Sequence, residues 1–217
     1  MIISALKKLP FWRRYTTNQF KNWWKNRDID WEKEYKETWN HPHRKIITDV
    51  LKQFAWSSLY EIGCGAGANL INISRNIPNR YLGGVDINPK AIEVANKTFK
   101  GGFFTVGSAD DIMLSGKATD VVLSDMCLIY VGPTKINKYI QEIKRISRGY
   151  VILLEMHSNS WIKRLWLRLF SGHNSYNYDK LLRKNGFYDI IMYKLNGNIW
   201  GDDNQFRHLI IAKTPKR

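Results

Sequence analysis

The stretch Tyr60-Glu61-Ile62-Gly63-Cys64-Gly65-Ala66-Gly67-Ala68-Asn69 closes an apolar strand in three alternating glycines and then opens a helix. Glycine reaches positive φ and carries no β-carbon, so the backbone can turn sharply and come close to a ligand. The N–H groups that begin the next helix lack intrahelical partners and face the same turn. Such a turn is built to receive a nucleotide-containing cofactor. Further on, Tyr81-Leu82-Gly83-Gly84-Val85-Asp86-Ile87-Asn88 reads as a second short strand ending at Asp86. A carboxylate at that place can accept hydrogen bonds from two vicinal ribose hydroxyls.

The glycines alone do not choose a cofactor, because Gly63-x-Gly65-x-x-Ala68 also satisfies the looser dinucleotide fingerprint. The order of the segments beyond the turn separates the two. The turn reads Glu61-x-Gly63-x-Gly65-x-Gly67, and after Asp86 come a helix over 89–99, a strand running into Gly107-Ser108-Ala109-Asp110-Asp111, and the strand Asp120-Val121-Val122-Leu123-Ser124-Asp125. From about residue 40 to about residue 214 the chain resembles the class I S-adenosylmethionine-dependent methyltransferases. Lys184-Asn185-Gly186-Phe187, similar to that family's last helix-to-strand junction, and the closing strand His208-Leu209-Ile210-Ile211-Ala212-Lys213 belong to the same resemblance.

That resemblance implies a Rossmann-like, doubly wound α/β fold whose mostly parallel seven-stranded sheet ends in an antiparallel hairpin, with S-adenosylmethionine as cofactor. It also implies roles. Glu61, Gly63, Gly65 and Gly67 would surround the methionine end, Asp86 and Ile87 the ribose and adenine, and Ala109 and Asp110 the adenine amine. Ser124 would lie beneath the methionine, and Arg44 would meet the cofactor carboxylate. Where the family often has an acidic residue after the glycine of the third loop, this chain has Ser108, so Ser108, Asp110 and Asp111 all stay open as the adenine contact.

A chain of 217 residues, 44% hydrophobic, can bury one sizeable core without a second domain. It divides into a basic, aromatic leader over 1–38 and a catalytic domain over 39–217, with the strand–helix alternation to about residue 156 implying helices on both faces of a parallel sheet. Trp31 to Trp39 alternates charge in a way that suits an exposed helix, and Pro42 breaks it before a helix over 43–54. Cys64 and Cys127 are too few for a disulfide framework and read as reduced thiols in a cytoplasmic protein. The start has too short an apolar core for a secretory signal, no segment is long enough to span a membrane, and the histidines lack metal-ligand spacing.

The formal net charge of +15 is uneven: residues 1–60 carry +6 and residues 131–217 carry +10, whereas 61–130 carry −1. Residues 1–27 hold seven basic residues and no acidic ones among Phe11, Trp12, Tyr15, Phe20, Trp23 and Trp24. A second such stretch, Trp161-Ile162-Lys163-Arg164-Leu165-Trp166-Leu167-Arg168-Leu169-Phe170, places an apolar stripe beside cations on a helix. Three readings stay open for these flanks. They pack on their own domain, they meet an anionic membrane from its inner face, or they meet RNA.

On the acceptor side, Asp125, Met126, Tyr130 and Val131 would form one wall. The chain lacks the Asn/Asp-Pro-Pro-aromatic tetrad with which base-methylating relatives grip a planar nitrogen. The candidate bases are His157 and His173, since imidazole titrates near neutrality, with Tyr130 beside them as a third catalytic candidate. His41 and His43 sit where the family's N-terminal segment folds over the cofactor. The expected activity is methyl transfer to a small-molecule or lipid-like acceptor. An RNA methyltransferase, and a noncatalytic module binding an anionic partner, are the alternatives.

Overall fold

The computed structural model of the protein describes residues 16–200 and 205–216. Three helices come first, α1 (Thr17–Lys25), α2 (Trp31–Thr38) and α3 (Pro42–Leu51). Then β1 (Ser58–Ile62), α4 (Ala68–Asn76), β2 (Tyr81–Asp86), α5 (Pro89–Thr98), β3 (Gly102–Val106) and β4 (Thr119–Asp125) alternate. A short 3₁₀ turn at Leu128–Tyr130 leads to α6 (Ile136–Ile146), β5 (Ser147–Met156), α7 (Trp161–Ser171), α8 (Tyr178–Lys184), β6 (Tyr188–Lys194) and β7 (Arg207–Lys213).

The seven strands form one sheet in the order β3-β2-β1-β4-β5-β7-β6. Neighbours from β3 to β5 pair in parallel, and β7 runs antiparallel to both β5 and β6. The doubly wound, mostly parallel sheet with a closing antiparallel hairpin is therefore the one expected. Side chains alternate between faces along each strand. Val122, Val151, Leu153 and Ile210 join the core under α6 and α8, whereas Val121, Leu123, Ile152 and Leu209 join the one under α3, α4 and α5. A strand buried on both faces must be apolar throughout, which is why β4 and β5 carry near-continuous Val, Ile and Leu.

Local signals set the helix ends. Pro42 stands at the first turn of α3 and Pro89 at that of α5, where the missing N–H costs nothing. Pro42 therefore starts α3, which ends at Leu51, short of the predicted Phe54. Thr16 caps α1 through a reciprocal pair with Gln19. The helix expected to be exposed, α2, instead buries Trp31 and Tyr35. Charge alternation described its outer face only. Among the described residues no helix is long and apolar enough to cross a membrane.

Candidate active site

In this strand order the chain leaves β1 toward β2 on one side and later returns to β4 on the other, so a crevice opens beyond the carboxyl ends of β1 and β4. A cavity of about 330 Å³ fills it. Its floor is the glycine turn, where Gly63, Gly65 and Gly67 have φ of +70°, +52° and +83°. A β-carbon on Gly63 would lie 2.5 Å from Cys127 Sγ, so this glycine also lets the loop after β4 close against the turn. Gly67 caps α4 without a side-chain hydrogen bond, leaving the N-terminus of that helix open beside Ala68 and Asn69, which line the cavity.

Asp86 ends β2 on the cavity wall next to Ile87. Its Oδ2 accepts from Gly65 N–H and its Oδ1 from Asn88 N–H, both at 2.9 Å, so the carboxylate ties the glycine loop to β2. Burial raises its pKa, while those amides pull the other way. Glu61 lies deeper. Its Oε1 accepts from Asn69 Nδ2 at 2.6 Å, and its Oε2 is buried with no partner among the described residues. Burial pushes the Glu61 carboxyl up to about 8, so without a ligand it is protonated at neutral pH.

Arg44 lines the cavity from α3 and donates to Thr38 O at 2.7 Å and to the Asn69 side chain. Ser108 and Ala109 line the cavity, whereas Asp110 turns away to an ion pair with Lys21 at 2.6 Å. Against the upward push of burial, Lys21 and the Ser108 hydroxyl hold Asp110 down at about 2. Asp110, the residue expected at the adenine amine, thus ties the loop to Lys21 of α1. Ser124 is the residue expected beneath the methionine. It is fully buried outside the cavity, and its hydroxyl donates to Glu155 at 2.7 Å. Gly67 shapes the turn from behind, its Cα facing Phe104.

The stretch treated as a leader supplies the cavity roof. Phe20 and Trp24 of α1 and Trp31 and Tyr35 of α2 line it, and Phe20 and Trp24 pack on Tyr130 at 5.1 and 5.2 Å between ring centroids. Residues 1–15, with Phe11, Trp12 and Tyr15, lie outside the described residues. For Phe20 and Trp24 this lining agrees with the first of the three open readings, packing on their own domain, whereas the charge alternation around Trp31 and Tyr35 reads in sequence as an exposed helix.

Neither expected histidine base lines this cavity. His157 follows β5 near His208, its Nδ1 accepts from Tyr178 N–H at 3.2 Å, and burial together with His208 lowers it to about 4. His173 meets Tyr130 edge-on, at 5.5 Å between centroids, and burial lowers its pKa also. Tyr130 does line the cavity, but burial pushes its hydroxyl up to about 12, so it is no proton acceptor at neutral pH.

Asp125, at the end of β4, lines the cavity as a carboxylate. Its Oδ2 meets His43 Nε2 at 2.9 Å and Asn69 Nδ2 at 3.0 Å, which leaves Oδ1 for the cavity that Asp125 lines. Although burial works against the charge, the His43 hydrogen bond and Arg44 hold the Asp125 carboxyl below its ordinary value of 3.8. His43 Nδ1 lies 2.6 Å from His41 Nδ1, and the indole of Trp200 stacks on the His43 ring at 5.5 Å. The chain Asp125–His43–His41 runs from the cavity to a half-exposed imidazole. All three residues were visible in the sequence, but nothing in it pairs positions 43 and 125.

Residues 59–149 match the family model described as a methyltransferase domain. No curated protein matches the chain in sequence. Similar solved structures include the YcgJ protein of Bacillus subtilis, 14% identical, with a TM-score of 0.64 over 82% of this chain and 100% of that one. A Thermotoga maritima protein described as a methyltransferase using S-adenosylmethionine, with histamine N-methylation given as its possible activity, is 16% identical, TM-score 0.64, over 90% and 98%. A geranyl diphosphate methyltransferase bound to S-adenosylmethionine is 13% identical, TM-score 0.65, over 80% and 84%. At these identities the likeness is one of fold.

Proposed function

We propose that this chain is a class I S-adenosylmethionine-dependent methyltransferase, a reading its fold and the match of residues 59–149 support, and that it methylates an oxygen or nitrogen of a small-molecule or lipid-like acceptor, with Asp125 receiving the acceptor's proton. The observation that carries the proposal is the ionised Asp125 carboxylate, backed by His43, in the wall of a cavity whose other groups suit this cofactor.

The fit rests on the side chains. The unpartnered Glu61 Oε2 would meet the amino acid ammonium, and the Arg44 guanidinium with the open end of α4 its carboxylate. Asp86 would take the ribose hydroxyls, and Ser108 and Ala109 the adenine edge. Trp31 and Tyr35 line the same cavity, where an aromatic ring would favour a cation. Bound here, S-adenosylmethionine supplies an electrophilic methyl on a sulfonium, whose departure leaves a neutral thioether.

What the chain must do is align the acceptor lone pair, exclude water and receive one proton. The loop after β4 and the aromatic roof of α1 and α2 enclose the acceptor end. As the new bond to carbon forms, the acceptor atom becomes far more acidic, so a carboxylate with a depressed pKa is base enough. The proton passes to Asp125 Oδ1, and the His43–His41 pair provides the route outward. His43 also fixes the orientation of the carboxylate, as a positioning residue.

The test is transfer of label from methyl-tritiated S-adenosylmethionine into fractionated lipid, metabolite and RNA pools. Label in lipid or metabolite supports the proposal, and label confined to RNA overturns the acceptor class. The loop Asp125-Met126-Cys127-Leu128 carries none of the prolines and aromatics with which base-methylating relatives clamp a nucleobase.

A further inference from the structure

Helix α7 is amphipathic in the wrong sense for a helix that packs on its own domain. Only Leu167 is buried, whereas Trp161, Ile162, Leu165, Trp166 and Phe170 are between 44% and 66% exposed, with Phe170 stacked on Trp166 at 4.7 Å. At about 100° per residue, those five and Leu169 cover roughly half the helix circumference, from Trp161 round to Phe170. Lys163 borders the arc on one side and Arg164 and Arg168 on the other, while Leu167 points inward between them. There is no acidic residue from 161 to 171.

We propose that α7 docks the protein on a lipid bilayer bearing anionic headgroups, with its aromatic and aliphatic arc in the interface and its cations on the lipid charges. The occupant is fixed by charge and chemistry. A second copy of α7 would set cations against cations, and so would the basic residues 1–27 of this chain. A nucleic acid would use the cations and stack on Trp161 or Trp166, but it has no use for Ile162 and Leu165. Tryptophan with aliphatic side chains, flanked by Lys and Arg, matches the depth profile of a headgroup region.

The position of α7 joins this surface to the cavity. Leu167 packs in a small cluster with Ile129 and Met156, against which Met126 and Tyr130 of the cavity wall also lie. Two residues past the helix, His173 meets the edge of Tyr130. A bilayer under α7 therefore lies beside the acceptor wall, and an amphiphilic acceptor would reach Asp125 without crossing open water. This rests on the acceptor being lipid-like, as proposed above, but vesicle binding does not depend on catalysis.

The experiment is co-sedimentation of the full chain with vesicles of phosphatidylcholine alone or mixed with phosphatidylglycerol, beside calorimetry with S-adenosylmethionine. The expected result is binding to the mixed vesicles only, weakened by salt. It should fall about tenfold or more in Trp161→Ser/Trp166→Ser and again in Lys163→Glu/Arg168→Glu, with cofactor affinity unchanged. No binding by the wild type, equal binding by both variants, or loss of vesicles to competing RNA would overturn the proposal. Vesicle binding without cofactor binding would leave the docking surface standing and sink the methyltransferase reading instead.

Discussion

His43 Nε2 and Asp125 Oδ2 lie 2.9 Å apart although 82 positions separate them, and both side chains are about nine-tenths buried. The pair joins α3, before the sheet begins, to the loop after its fourth strand. Asp125→Asn keeps the shape but removes the proton acceptor, and kcat is expected to fall by roughly 10²–10⁴ with S-adenosylmethionine affinity little changed. His43→Ala should lower kcat less, because the carboxylate remains but loses its orientation. His157→Ala and His173→Ala, outside the cavity, should turn over near normally. An Asp125→Asn variant with intact kcat, or one whose loss lies wholly in cofactor affinity, would contradict this assignment.

Glu61 is expected to give up its proton when the cofactor binds. Burial holds its carboxyl at about 8 in the ligand-free protein, and an ammonium against Oε2 favours the ionised form. Binding at neutral pH should therefore release a proton, and affinity should rise with pH until it levels near 8. Calorimetry in buffers of different ionisation enthalpy measures this. Identical apparent enthalpies in all buffers would refute it.

The strands were legible because parallel strands buried on both faces leave long apolar runs, as in Asp120-Val121-Val122-Leu123. The glycine turn was legible because three positive φ angles in five residues, at 63, 65 and 67, strongly favour glycine. Ser124 and Asp110 share a feature that the motif does not record: a neighbour outside it holds each side chain. Glu155 holds Ser124 and Lys21 holds Asp110. The Asp125–His43 pair and the roof of α1 and α2 depend on long-range packing that no local pattern records.

Glu155 makes a prediction about stability. Its Oε1 accepts from the Ser124 hydroxyl and from Cys127 and Leu128 N–H, its Oε2 has no partner among the described residues, and burial raises its pKa to about 8 from the ordinary 4.5. Between those values the folded protein holds a proton that the unfolded chain releases, so stability falls as pH rises through the window, by several kcal/mol at most. Glu155→Gln keeps an acceptor oxygen and does not titrate. Denaturant unfolding should show a smaller loss between pH 5 and pH 8 in the variant. Equal pH slopes would rule the account out.

Gly63→Ala tests the close approach of two loops. The added β-carbon meets Cys127 Sγ and Cβ at 2.5 and 2.7 Å, at a φ of +70° that alanine disfavours. A loss of about 1–3 kcal/mol in folding stability is expected. Adding Cys127→Gly should restore part of it by clearing the contact, whereas no recovery would place the cost in the backbone alone.

The central claim is that this cavity binds S-adenosylmethionine through Asp86, and calorimetry on the wild type and Asp86→Ala tests it most directly. Loss of the carboxylate removes charge-assisted hydrogen bonds to the ribose, so binding should weaken by about 2–3 kcal/mol, with thermal unfolding used to confirm that the variant is folded. Wild-type affinity in Asp86→Ala, or tighter binding of a nicotinamide dinucleotide than of S-adenosylmethionine by the native protein, would contradict the account.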